Sequence, residues 1–267
     1  MNITSNSARL VRDFSDVKAS MSRMDGNLTQ WERHGRTYPN YDVDDSFRGM
    51  ARDLDDATLS LSDMRPDQDA LLTQLKSDTL TIAFHAGMTD AMSQHATTFG
   101  SGWRNLMDPS IDDAQQAIDL LTLEQGGETE KTPPTPMQVL RALSDVRSEL
   151  DRWDASFTQW EHHGRTYPSR SVSGNLLSVA GRLYDARNDF RELYPEQTSL
   201  INDLQGDIFK VAGDAGMTKH MNNHRNNFGN GWSRSLDHSI ESVRRAIDVV
   251  IAGQSPEGGN DYEAKGE

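Results

Sequence analysis

Ten residues of this chain, Gln-Trp-Glu-Arg-His-Gly-Arg-Thr-Tyr-Pro, hold Trp31, Glu32, His34, Arg36 and Tyr38. The segment returns as Gln159–Pro168, which supplies Trp160, Glu161, His163, Arg165 and Tyr167. His95 and Trp103 are likewise matched by His224 and Trp232. An imidazole titrates near neutral pH, so it can move a proton or bind a metal. An arginine can clamp a carboxylate or phosphate through two parallel hydrogen bonds. A tyrosine before proline is held extended, and its ring then either packs under a loop or faces a partner. Acid–base work or anion binding is therefore one reading of each cluster. The other is structural: histidines satisfied by backbone or carboxylate, arginines tying loop carbonyls to a helix end, tryptophans plugging a helical core.

Carboxylates shared by both copies, such as Glu32 and Asp78, could complete such a site. Yet no Glu-x-x-His or His-x-x-x-His pair recurs at one offset, as a di-iron bundle would require, so neither a metal nor a cofactor is expected. The Phe-Gly-x-Gly-Trp turns at Gly100–Gly102 and Gly229–Gly231 are weak phosphate signals without a following Gly-Lys-Ser/Thr. Gly-x-Ser-x-Gly, P-loop, His-Glu-x-x-His, kinase and EF-hand patterns are missing.

The elements that must position these residues form a duplication. Trp160 lies 129 residues after Trp31, and the same offset relates Ala86-Gly87-Met88-Thr89 to Ala215-Gly216-Met217-Thr218. No gap is needed from about Leu10 to Leu121. A period this long means two copies of one domain rather than a solenoid of short units. The expected organisation is copy 1 over 1–123, a Gly/Pro-rich flexible linker over 124–136, copy 2 over 137–252 and a disordered acidic tail over 253–267.

Within each copy the apolar spacing is helical. Leu10, Phe14, Val17, Met21, Met24, Leu28 and Trp31 alternate steps of four and three, as do Val139, Leu143, Val146, Leu150, Trp153, Phe157 and Trp160. A second helix follows with Phe47 to Met64 and Leu176 to Leu193. The third carries Leu71 to Ala83 and Leu200 to Ala212, and Pro66 and Pro195 mark its start. Gly87 and Gly216 are expected to interrupt it, with Thr89 and Thr218 capping a short fourth helix. Asp108 and Asp237 are expected to cap the last helix, Ser7 and Thr135-Pro136 to start the first ones, and Gly35 and Gly164 to end them. No segment alternates with period two. The fold class is all-α: two tandem homologous antiparallel helical bundles, four main helices plus a short one each. In an up-down bundle the repeated motifs fall together at one end.

Composition bounds the function. Zero cysteines exclude disulfide scaffolds, thiolate zinc sites and cysteine nucleophiles. A net charge of −14 argues against nucleic acid as partner. No apolar run is long enough for a transmembrane segment. The charge is unequal: residues 1–123 hold 19 acids and 11 bases, net −8, whereas residues 138–252 hold 15 and 14, net −1. The excess lies mainly in Asp42–Asp69, either a solvated face or a docking face for a basic partner. The opening Met-Asn-Ile-Thr-Ser-Asn-Ser-Ala-Arg-Leu-Val-Arg has no apolar core of a cleaved signal peptide. Its Ser/Asn-rich composition resembles the uncleaved leaders of bacterial type III secreted effectors. That resemblance implies secretion without cleavage; otherwise the chain is expected in the cytoplasm. The expected function is a non-enzymatic tandem-repeat protein that binds a protein partner. The alternative is an enzyme or small-ligand binder that uses the repeated His/Arg/Tyr/Trp clusters.

Overall fold

The computed structural model describes residues 3–33, 43–95, 111, 114–116, 118, 133–162, 164, 168–169, 171–223 and 234–253. Seven helices are bounded there: α1 (Ile3–Arg33), α2 (Val43–Met64), α3 (Asp69–His95), α4 (Pro136–His162), α5 (Val172–Leu193), α6 (Thr198–Asn223) and α7 (Arg234–Gly253). The described residues are all helix and short turns, with no strand.

Helix bounds recur at the offset of the sequence repeat. Val43–Met64 becomes Val172–Leu193, and Asp69 becomes Thr198. The turns recur too. The amides of Arg65, Gln68 and Leu72 bond the carbonyls of Leu61, Arg65 and Gln68; those of Tyr194, Gln197 and Ile201 bond Phe190, Tyr194 and Gln197.

The seams point inward. Leu10, Phe14, Val17, Met21, Met24 and Leu28 are buried along α1, as are Val139, Leu143, Val146, Leu150 and Phe157 along α4. Ile111, Ala114 and Ile118 are buried helical residues, and Gln115 Nε2 donates to Ser22 Oγ of α1 at 3.2 Å. Thr135 and Gln138 form a reciprocal cap at the start of α4: Gln138 Oε1 accepts from the Thr135 amide at 2.8 Å, and the Gln138 amide reaches Thr135 Oγ1 at 3.4 Å. Gly164 (φ 75°), just past α4, takes the left-handed conformation that ends many helices.

Three expectations about helix ends are corrected. Helices α3 and α6 run unbroken through Gly87 and Gly216, so the short helix expected at Thr89 belongs to the end of α3. Thr89 Oγ1 donates to the carbonyls of His85 and Ala86, both at 2.9 Å, and Thr218 Oγ1 to that of Ala215 at 2.9 Å. Such back-bonding satisfies the hydroxyl inside a helix, so no cap is required. Asp237 stands in the first turn of α7 rather than before it, where its charge suits the helix dipole. Helix α1 already begins at Ile3, upstream of Ser7. Asp108 and Gly35 lie outside the described residues.

Helix α3 packs on α2 and α6 on α5, while α6 and α3 pack extensively on each other. The two repeats therefore share an interface. Its centre is made of glycine. A Cβ on Gly87 would stand 1.8 Å from the carbonyl oxygen of Gly213, and one on Gly216 would stand 1.9 Å from that of Phe84. Gly216 is the repeat of Gly87, and Gly213 the repeat of Phe84. Each contact is thus the other with the copies exchanged, as around a two-fold axis. Lys76 with Asp185 (2.6 Å) and Gln205 with Asp56 (2.9 Å) are a second exchanged pair.

Candidate functional site

Most of the repeated motif escapes description. His34, Arg36, Tyr38 and Trp103, and His163, Arg165, Tyr167, His224 and Trp232, lie outside the described residues. Trp31 and Glu32 stand in the last turn of α1, His95 ends α3 and Glu161 is on α4; their side chains are also outside the described residues. Trp160 is half-buried, its ring 6.4 Å from that of Trp153 and 5.9 Å from that of Phe157. Further along the chain Pro168 is buried, and Asn222 Nδ2 donates to the Ser169 carbonyl at 3.2 Å. That bond ties the loop after α4 to the end of α6, the two chain segments that flank the second cluster.

The charged centre that is described lies between the copies. Arg187 on α5 donates from both terminal nitrogens to Asp55 on α2, at 3.0 and 2.9 Å, and both side chains are fully buried. Gln205 of α6 adds a third bond to Asp55 at 2.7 Å. The guanidinium lies 4.7 Å from the centre of the Tyr184 ring. Burial, then the charge of Asp55, pushes the Tyr184 phenol well above its ordinary range. Arg191 bonds Asp63 further along the same pair of helices. Three acids of the Asp42–Asp69 run, namely Asp55, Asp56 and Asp63, thus meet side chains of the second copy. Part of the charge asymmetry is complementarity within the chain.

A second polar centre lies where α6 meets α2 and α7. Asp214 is buried there with a hydrogen bond to Ser239, and Arg48 and Lys210 are the nearby cations. Burial outweighs them and pushes the carboxyl up to about 8. Its counterpart in the first copy is His85, buried against Phe47 and Phe84 (rings 6.1 and 5.7 Å away), and burial pushes that imidazole down to about 4. The raised carboxyl favours the fold at low pH, and this contribution is lost as pH rises from about 4 through about 8. The lowered imidazole favours the fold above about 6.5, and its contribution is lost as pH falls through about 4. The two slopes oppose each other below about 6.5; above it Asp214 alone acts. Denaturant midpoints should therefore fall between pH 6.5 and 8, and Asp214→Asn should flatten that fall. An equal fall in the variant would place the titration elsewhere.

Sequence reasoning missed Asp55, Arg187, Gln205, Tyr184, Asp214 and His85. One signal was present: Arg187 stands four residues after Leu183 and three before Phe190, on an otherwise apolar helix face. Asp78, picked out as a shared acid, is buried and accepts from Gln74 at 2.9 Å; its repeat Asp207 is buried with Lys210 at 3.0 Å and Ser242 at 2.8 Å. Among the described residues no three His, Asp or Glu side chains converge as a metal site, and no helix is long and apolar enough to cross a membrane.

Fold and site define an all-helical protein whose sequence repeats meet through a glycine crossing and a buried ion pair. No protein family, curated protein or solved structure matches the chain.

Proposed function

We propose that the chain is a non-enzymatic interaction protein for a protein partner, built of two tandem helical bundles joined through 124–136. The supporting observation is the exchanged-pair packing of α3 on α6. It holds equivalent surfaces of the two copies at a fixed spacing, which suits a partner with two sites or two partner molecules. Asp45, Asp53 and Asp69 are exposed. They leave exposed negative charge on the first copy, and a basic protein surface is its natural complement. Secretion as a type III effector-like factor belongs to the same proposal and rests on residues 1–12 alone.

The test is cross-linking of the full chain to proteins of a cell extract, beside a variant with Asp45, Asp53 and Asp69 changed to Asn. The proposal expects one specific basic protein, lost at high salt and reduced at least tenfold in the variant. Turnover of a small molecule with no macromolecule bound would overturn it. The bond from Asn222 to Ser169 favours a second reading, a small-ligand or catalytic site at the end cluster, because it brings its flanking segments together. Under that reading His163→Ala and His224→Ala, like their repeats His34→Ala and His95→Ala, would abolish ligand binding and leave the helix content intact.

A further inference from the structure

Between α2, α3, α6 and α7 lies an open cleft of about 390 Å³. Its floor is the helix crossing itself, with Ala83, Ala86, Gly87 and Gly213. Arg48 and Arg52 reach it from α2, Lys210 from α6 and His238 from α7, and Asp90, Asp214 and Ser239 line its wall. The volume is at the small end of known small-molecule sites, which combine an apolar body with a few convergent polar groups.

The charges at this cleft are unequally matched. Lys210 is paired with Asp207 at 3.0 Å. Arg48 lies 3.5 Å from Asp44 and 3.6 Å from Asp90, both longer than a good charged hydrogen bond. Arg52 is exposed and makes no ion pair among the described residues. Burial pushes the Asp214 carboxyl up to about 8, which weakens its pairing with them at neutral pH. Among the described residues Arg52, with only the electrostatic influence of neighbouring Asp53, is the cation of the cleft that makes no ion pair, and it stands over an apolar floor.

The repeat supplies a comparison. The positions equivalent to Arg48, Arg52 and Gly213 are Leu177, Gly181 and Phe84. In that set the arginines are replaced by an aliphatic residue and a glycine, and a ring stands where Gly213 has no side chain. Leu80 lies 3.8 Å from where a Cβ on Gly181 would be. The open form with two arginines therefore belongs to one side of the crossing and is not forced by the fold.

We propose that this cleft binds a small organic carboxylate, its charged end on Arg52 and Arg48 and its apolar body on Ala83, Ala86 and Gly87. Asp214 and Ser239 share one hydrogen bond, and the remaining proton of the pair is a donor for the second carboxylate oxygen. One arginine without an ion pair among the described residues matches a monoanion, and the apolar floor rewards a hydrocarbon tail. The site stands independently of the protein-partner reading.

The full chain would be titrated calorimetrically with hexanoate, acetate and inorganic phosphate. Saturable one-site binding of hexanoate, at least tenfold tighter than acetate and without saturable phosphate binding, is the expected result. Arg52→Ala, a change at an exposed position, should weaken hexanoate at least tenfold. Gly213→Phe places in this copy the ring that the other copy has at Phe84 and should abolish binding; a Cβ at Gly213 has ordinary contacts of 3.7 Å or more. Absence of saturable hexanoate binding, tighter binding of phosphate, or unchanged affinity in a folded Arg52→Ala variant would overturn the proposal.

Discussion

Gly216→Ala is expected to destabilise the whole chain by at least about 3 kcal/mol, the upper range of overpacking changes. The new methyl would stand 1.9 Å from the Phe84 carbonyl oxygen and 2.9 Å from the Met88 amide nitrogen. Both obstacles are backbone, so neither can rotate away, and the two helices must separate. Separation loosens the packing of Ala83, Ala86, Ala212 and Ala215, all buried along α3 and α6. Alanine would gain about 1 kcal/mol in helix propensity, which the clash exceeds. Gly87→Ala meets the exchanged obstacle, Gly213 oxygen at 1.8 Å, and should cost a similar amount. The double variant should cost less than the sum, because one separation relieves both clashes.

Gly49→Ala provides the control. It is also inside a helix, but a Cβ there meets nothing within 4 Å. It should stabilise by up to about 1 kcal/mol through propensity alone. Thermal unfolding of the three variants separates the cases. Equal melting temperatures for Gly49→Ala and Gly216→Ala would show that the crossing tolerates a methyl group.

The sequence made the helices legible because their seams are long and regular. Phe47, Met50, Leu54, Ala57 and Leu61 sit at helical spacing, and all are buried along α2. The repeat was legible for the same reason. How the copies meet was not, and the cause is physical. Comparing copies finds what both retain, whereas an interface between them is built where they complement each other. Asp55 corresponds to Tyr184, Arg187 to Thr58, and Gln205 to Lys76. None of these is an agreement between copies, yet they form the buried charged centre. Gly87 and Gly216 do agree, but a glycine in a helical pattern reads first as an interruption. Only the distance to the facing backbone shows that it serves a close approach. Most of the clusters around His34 and His163, Trp160 apart, have side chains outside the described residues, so their role rests on the sequence.

Asp55→Ala is expected to lower the melting temperature by about 6–20 °C. Removing one member of a buried ion pair costs about 3–5 kcal/mol, since the other charge stays buried without its partner. For a chain of this size each kcal/mol moves the transition by about 2–4 °C. Arg187 is fully buried and loses both of its carboxylate bonds in the variant. Gln205 loses one bond and keeps Asp56 at 2.9 Å. The loss should be insensitive to salt, because screening reaches exposed pairs such as Arg147–Asp248 far more than one shut away from solvent. Replacing both partners, Asp55→Leu with Arg187→Met, should recover most of the stability, since the desolvation of both charges disappears together. The two experiments separate strength from specificity. If the pair serves mainly to fix how the copies seat, the double variant will match the wild type in melting temperature while the cross-copy bond between Lys76 and Asp185 loosens. A Lys76–Asp185 distance that is unchanged in its crystal structure would show that the glycine crossing alone sets the register.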